Sequence, residues 1–220
     1  MILEHSSELK REQEPRTIIV LGLTGGIGCG KSSAAEIIRE KYPVLDSDAI
    51  AKDLLDNRQE LHRAIKDAFG LSVFDQDGRL DRAALAAIVF DNDTALQRLN
   101  ELTHPHVLRE IDQRIDALAA SGAPAVFVES ALIFETQIED MFDFIIAVVA
   151  SEATVLERLS TIGRLPAEDL RNRMARQLPI EDKAARADFV IRNDGSRDEL
   201  QRAVSLVLSL VPALCRIPAS

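Results

Sequence analysis

The sequence predicts an α/β fold of three layers, in which a five-stranded parallel sheet is covered by helices on both faces. Three observations predict it. Short aliphatic or β-branched runs recur at 17–23, 44–45, 124–128, 144–149 and 189–191. Runs such as TIIVLGL and FIIAVV show little polar alternation, as strands buried on both sides require. The stretches between the runs place apolar residues at helical spacing, and strands that alternate with helices pair in parallel.

In chain order, 17–23 is the first strand and ends at a glycine-rich turn. Residues 31–41 have helical composition and stop before Tyr42-Pro43. Residues 44–45 form a brief second strand that ends at Asp46-Ser47-Asp48. From 49 to about 120 the pattern is helical, with Leu85, Ile88 and Val89 and then Val107, Leu108, Ile111, Ile115 and Leu118 on helical repeats. Gly70 and the run Asp75-Gln76-Asp77-Gly78 interrupt it, the latter as a turn. Residues 124–128 (PAVFV), 144–149 and 189–191 complete the sheet, and 151–187 is helical and Arg-rich. A final amphipathic helix runs from about 196 to 211 and meets Pro212. The expected organisation is a frayed tail at 1–16, a core at 17–53, 121–158 and 186–213, and an inserted helical subdomain at 54–120.

Composition narrows the function. The chain has 220 residues, 46% of them hydrophobic and 28% charged, which is ordinary for a globular protein. A net charge of −10 argues against general nucleic-acid binding, which rests on Lys and Arg neutralising phosphates. Aromatics at 4%, with no Trp, argue against a base-stacking surface. Cys29 and Cys215 lie far apart without metal-type spacing, and four His show no ligand pattern, so neither a zinc site nor a disulfide framework is expected. Residues 1–16 lack the apolar core of a secretory signal. The longest apolar stretches, 144–150 and 204–214, are too short to span a membrane. The expectation is a cytoplasmic enzyme with no nucleic-acid or membrane partner; its oligomeric state stays open.

The strongest motif is Gly25-Gly26-Ile27-Gly28-Cys29-Gly30-Lys31-Ser32, which fits GxxxxGK[ST] between a strand and a helix. Glycines let backbone N–H groups turn inward around phosphate oxygens, and the following helix points its positive end at them. Lys31 supplies a point charge for the β- and γ-phosphates, and Ser32 a hydroxyl for Mg²⁺. ATP and Mg²⁺ are therefore expected, on a P-loop NTPase fold. Cys29 serves through its backbone, or else carries a thiol whose pKa the helix N-terminus lowers. There is no NKxD element for guanine, and Asp75–Gly78 follows no strand although it matches DxxG.

Asp46 and Asp48 follow strand two, and ligands of open parallel sheets collect beyond the carboxyl ends of strands. Asp48 either takes the proton of an acceptor hydroxyl or shares with Asp46 and Ser47 the task of capping the next helix. Glu129, at the end of strand three, either holds a Mg²⁺-bound water or faces solvent. Arg173 and Arg176 share one helix face with Gln177 beside them, while Arg171 points elsewhere. His62 and His106 read as surface residues, and His104-Pro105 as a pair at a helix junction.

Seven segments, in order, resemble the dephospho-CoA kinase family over 18–193. They are LTGGIGCGKS at 23–32, LDSDAIAKDLL at 45–55, GRLDRAALAAIVF at 78–90, LNELTHPHV at 99–107, ESALIFE at 129–135, RMARQ at 173–177 and KAARADFVIRNDG at 183–195. The resemblance implies transfer of the ATP γ-phosphate to the 3′-hydroxyl of dephospho-CoA, a small-molecule partner. It makes Asp48 the acid facing that hydroxyl. It assigns Lys31 and Arg173 to catalysis, and Gly26, Gly28, Cys29, Gly30, Lys31, Ser32, Ser33 and Asn193 to the nucleotide, Asn193 near its adenine end. Arg82 and His104, with the insert, go to the CoA substrate, and a helical lid is expected at 159–185. The family usually has Ser at the position of Cys29, many members have Pro after strand three, and many carry Arg-Asp where this chain has Ile162-Gly163-Arg164.

Overall fold

A computed structural model of the chain describes residues 18–90, 92–162 and 177–215. Strand β1 (Ile19–Gly25) is central, in a sheet of order β2-β3-β1-β4-β5. The others are β2 (Val44–Asp46), β3 (Ala125–Glu129), β4 (Phe144–Val149) and β5 (Phe189–Arg192). β1 pairs in parallel with β3, placing Leu21 opposite Phe127, and with β4, placing Leu21 opposite Phe144; β4 pairs in parallel with β5. The five expected strands are all present. β1 reaches two residues further than its aliphatic run suggests, because Gly25 lets the backbone of β4 approach: a Cβ there would collide with the Val148 carbonyl.

The chain divides into two compact units. One comprises the described residues up to 44 and those from 117 onward; the other is 45–116. In the first, α1 (Lys31–Arg39) buries Ala34, Ala35, Ile37 and Ile38, a spacing that makes one apolar stripe. They pack in one cluster with Leu21, Leu23, Phe127, Ile146 and Val148 of the sheet. α8 (Arg197–Leu214) adds Leu200, Val204, Leu208 and Val211 to the same cluster. Each such side chain contributes about 1.5–3 kcal/mol relative to exposure. A second cluster holds Ile133, Phe134 and Ile145. α6 (Glu152–Ile162) follows β4, and α7 (Ile180–Arg186) precedes β5.

The other unit holds α2 (Ser47–Asn57), α3 (Gln59–Phe69), a 3-10 turn at Leu71–Val73, α4 (Arg82–Phe90) and most of α5 (Asp93–Ala120). Its buried residues include Ile50, Leu54, Leu61, Ile65, Leu85, Val107 and Ile111. Asp75–Gly78 is a turn: the Gly78 N–H donates to the Asp75 carbonyl at 3.0 Å, and Gly78 has φ 75°.

Two prolines correct the sequence reading. The final helix continues through Pro212 to Leu214 rather than ending at 211. Pro212 cannot donate to the Leu208 carbonyl, yet the helical bonding resumes beyond it, the Cys215 N–H donating to Val211 O at 3.0 Å. His104-Pro105 lies inside the 28-residue α5, not at a helix junction. Pro105 deprives Glu101 of its helical donor, while the preceding turn is held by Thr103, whose hydroxyl donates to Leu99 O at 2.9 Å.

α8 begins with a capping box: Ser196 Oγ accepts from the Glu199 N–H, and the Glu199 carboxylate accepts from the Ser196 N–H at 2.7 Å. Ser196→Ala is expected to lower unfolding stability by about 1 kcal/mol, read from denaturant midpoints. An unchanged midpoint would show that packing alone sets the start of α8.

Candidate functional site

The loop from Gly26 to Gly30 joins β1 to α1. Gly28 and Gly30 have φ values of 74° and 87°, the left-handed region that glycine enters without a Cβ penalty. No side chain caps α1, whose N-cap is Gly30. The first-turn N–H groups thus have the form of an anion site.

Several elements brace this loop. The Cys29 side chain is buried in a cluster with Ala150 and Val155, against Leu159 and Ile180. Burial pushes its thiol pKa up, which speaks against the alternative of a thiol activated by the helix N-terminus and leaves the reading that Cys29 serves through its backbone. Asn193, just past β5, is also buried. Its Nδ2 donates to the Cys29 carbonyl at 2.8 Å, and its own N–H donates to Val149 O at 2.8 Å. The Asn193 side chain therefore lies against the loop and holds it in place. A Cβ on Gly30 would collide with Asn193 Nδ2, so this glycine is demanded by space as well as by φ. Arg158 on α6, which the sequence reading passed over, donates from Nη2 to Asn193 Oδ1 at 3.4 Å, while its Nη1 is buried without a partner. The Ile27 N–H donates to Gln177 Oε1 at 3.1 Å.

The polar centre of the site is Glu129, the last residue of β3. It does not face solvent: its side chain is 4% exposed. Glu129 Oε1 accepts from Lys31 Nζ at 2.7 Å and from Ser32 Oγ at 2.9 Å. Glu129 Oε2 accepts from Arg39 Nη2, at the end of α1, at 3.3 Å. Two cations around one buried carboxylate make it a charge-matched group, whereas an unpaired buried carboxylate would be strongly unfavourable. Arg39 escaped the sequence reading because its partner Glu129 stands 90 residues away and meets it only in the folded chain.

Most of the remaining candidates belong to the unit 45–116. Asp46 is the N-cap of α2, its Oδ1 accepting from Asp48 N at 2.9 Å and Ala49 N at 3.0 Å. Capping therefore does not account for Asp48, an exposed first-turn residue. Arg82 opens α4 and pairs with Asp56 at 3.6 Å. His104 is half-buried on α5, and burial lowers its pKa. His62 and His106 are half-buried rather than surface residues. His62 contacts Leu55 O at 2.7 Å; His106 Nδ1 is buried without a partner, and its pKa is lowered by burial and then by Arg109. Arg164, Arg171, Arg173 and Arg176 lie outside the described residues.

This set suits a magnesium nucleotide. Ser32 Oγ and the Glu129 carboxylate are hard oxygen donors, and Mg²⁺ is typically held by one or two carboxylates together with substrate phosphates. Among the described residues no group of three or more His, Cys, Asp or Glu forms an all-protein metal cage. None of the described helices is long and apolar enough to cross a membrane.

Comparison with known proteins agrees with the geometry. The family model described as dephospho-CoA kinase matches residues 19–199. A dephospho-CoA kinase of Bacillus cereus is 35% identical over 191 residues, covering 86% of this chain and 96% of that one. That of Corynebacterium diphtheriae is 38% identical over 184 residues, covering 83% and 92%. A crystal structure from Thermus thermophilus superposes with a TM-score of 0.75 at 36% identity, covering 87% of this chain and 97% of that one. A dephospho-CoA kinase structure from Campylobacter jejuni gives 0.62 at 27%, covering 89% and 98%.

Glu129→Gln keeps the shape and removes the charge. It is expected to raise the Mg²⁺ concentration for half-maximal turnover by about 10- to 100-fold; an unchanged Mg²⁺ dependence would separate Glu129 from the metal. The lowered His104 pKa has a defined sign. Below the ordinary value of 6.5 the unfolded chain takes the proton first, so stability falls as pH drops through that region. Thermal midpoints measured from about pH 7.5 to about pH 5 should fall less for His104→Gln than for wild type. Parallel curves would contradict the assignment.

Proposed function

The chain belongs to the dephospho-CoA kinase family, and from that premise we propose that it transfers the γ-phosphoryl group of ATP to the 3′-hydroxyl of dephospho-CoA, the final step of coenzyme A synthesis. One observation carries the reading beyond the family match. The strand–loop–helix phosphate cradle ends in Lys31 and Ser32, and both meet a buried carboxylate, Glu129. That combination is the protein's share of a Mg-nucleotide site.

The roles follow from the chemistry. The loop from Gly26 to Gly30, with Lys31, Ser32 and Ser33, receives the phosphates through its backbone N–H groups other than those of Ile27 and Cys29, which donate to Gln177 Oε1 and Gly26 O. Lys31 Nζ stabilises charge on the transferring group, exchanging part of its pairing with Glu129 for phosphate oxygens. Ser32 and Glu129 would hold Mg²⁺, which would supply charge neutralisation for the nucleotide phosphates. Asp48 accepts the acceptor's proton as the 3′-oxygen bonds to Pγ and the bond from Pγ to the ADP oxygen breaks. Residues 54–120, with Arg82 and His104, are assigned to the CoA substrate, and 159–185 to a lid in which Arg173 meets the transferring charge; both assignments rest on the family pattern. Arg158 adds a guanidinium to the nucleotide side, through its buried Nη1. Asn193 acts on the nucleotide through the loop it braces.

The test is ADP formation from Mg-ATP with and without dephospho-CoA, with the product's mass measured. Saturable ADP release that requires dephospho-CoA, with a 3′-phosphorylated product, is expected. ATP binding without acceptor-dependent release would show that the acceptor is another hydroxyl compound. Asp48→Asn should lower kcat by on the order of 100-fold or more while ATP affinity stays near wild type. A loss confined to ATP affinity would remove Asp48 from the acceptor side.

A further inference from the structure

We infer that Gln177 is a positioning residue for the phosphate loop. Its side-chain carbonyl fixes the peptide of Ile27, and a buried Lys183–Glu135 pair fixes the stretch of chain from which it reaches. The inference rests on the kinase reading above and names a residue that this reading does not need.

The contacts form one continuous chain. The Ile27 N–H, at the crest of the loop, donates to Gln177 Oε1 at 3.1 Å. The next residue, Leu178, donates its N–H to Glu135 Oε1 at 2.8 Å. The same oxygen lies 2.7 Å from Lys183 Nζ. Lys183 is fully buried, and its ammonium also donates to the Ala131 carbonyl at 2.6 Å. Ala131 stands two residues beyond Glu129, so one end of the network holds the loop and the other holds the chain leaving the metal-side carboxylate. Ile180, between them in sequence, packs on the Cys29 cluster.

A filler role explains this less well. Burying an ammonium and a carboxylate costs desolvation free energy that an apolar pair of similar volume would avoid. What the charged pair gives is direction: it fixes a backbone N–H at 178 and a carbonyl at 131. Ile27 sits between Gly26 and Gly28, where the backbone has the fewest steric restraints on its peptide planes. An acceptor at a set position selects one orientation of the 27 amide.

The test compares the full-length wild type with Gln177→Met and Gln177→Glu. Mg-ATP is varied at saturating dephospho-CoA, and thermal midpoints are recorded alongside. Met keeps the length and lacks the acceptor, so kcat should fall about fivefold with an unchanged thermal midpoint. Glu keeps an acceptor for the Ile27 N–H and adds negative charge. Its kcat should return to within about twofold of wild type, with a raised KM for ATP. Wild-type kinetics in Gln177→Met would overturn the inference. So would equal kcat losses in both variants that track a lowered midpoint, since that is the signature of a packing role. A wild type that turns over no dephospho-CoA defeats the kinase reading instead. ADP affinity then decides the inference: about fivefold weaker binding to Gln177→Met upholds it, and equal binding overturns it.

Discussion

The phosphate loop has no hydrogen-bond ladder: within it, among the described residues, the Cys29 N–H donates to the Gly26 carbonyl at 3.2 Å. Such a loop persists only if its surroundings hold it, and the rest of the first unit reads as the means of doing so. Asn193 takes the Cys29 carbonyl, Gln177 takes the Ile27 amide, and the buried Cys29 side chain anchors the loop in apolar packing. These groups can converge because β1 lies at the centre of a parallel sheet with β3 and β4 as its neighbours and β5 beyond. In a parallel sheet every strand delivers its carboxyl end to the same edge. Glu129, Asn193 and the phosphate loop are the ends of three such strands.

Electrostatics at that edge run against the protein's overall charge. A chain of net charge −10 places Lys31, Arg39 and Arg158 around the loop, which concentrates positive potential where anionic phosphates would bind. Glu129 compensates Lys31, whose side chain is 13% exposed, whereas Arg39 at 41% is also solvated. Its worth lies in that low-dielectric setting. By contrast, the exposed Arg197–Glu36 pair at 3.2 Å belongs to a class of surface ion pairs that contributes little.

Much of the fold was legible because its signals are local. Five aliphatic runs gave five strands, and the phosphate-loop motif carries its strand, glycines, Lys31 and Ser32 within a few residues. Boundaries were less secure. β1 extends through Gly25 because close strand approach overrides the usual behaviour of Gly, and α8 runs on through Pro212 because the Cys215 N–H still reaches Val211 O. Seven segments in family order identified the family, which the comparisons then showed.

The sequence by itself determined the nucleotide loop, the α/β class and the family, since these depend on residue type at fixed short spacing. Only the tertiary structure decided which partners the loop acquires. That Glu129 is buried beneath Lys31 and Ser32, that Asp46 rather than Asp48 caps α2, and that Asn193 props the loop are contacts decided by folded geometry. Arg39, Arg158, Gln177 and Lys183 likewise gained their roles in the folded state. Most of these contacts join residues tens to more than a hundred positions apart, and even the short-range cap rests on which carboxylate the backbone turns toward the helix. Strand order and burial, not local spacing, bring the distant pairs together, and burial turns an ordinary carboxylate or amide into a fixed element of the site.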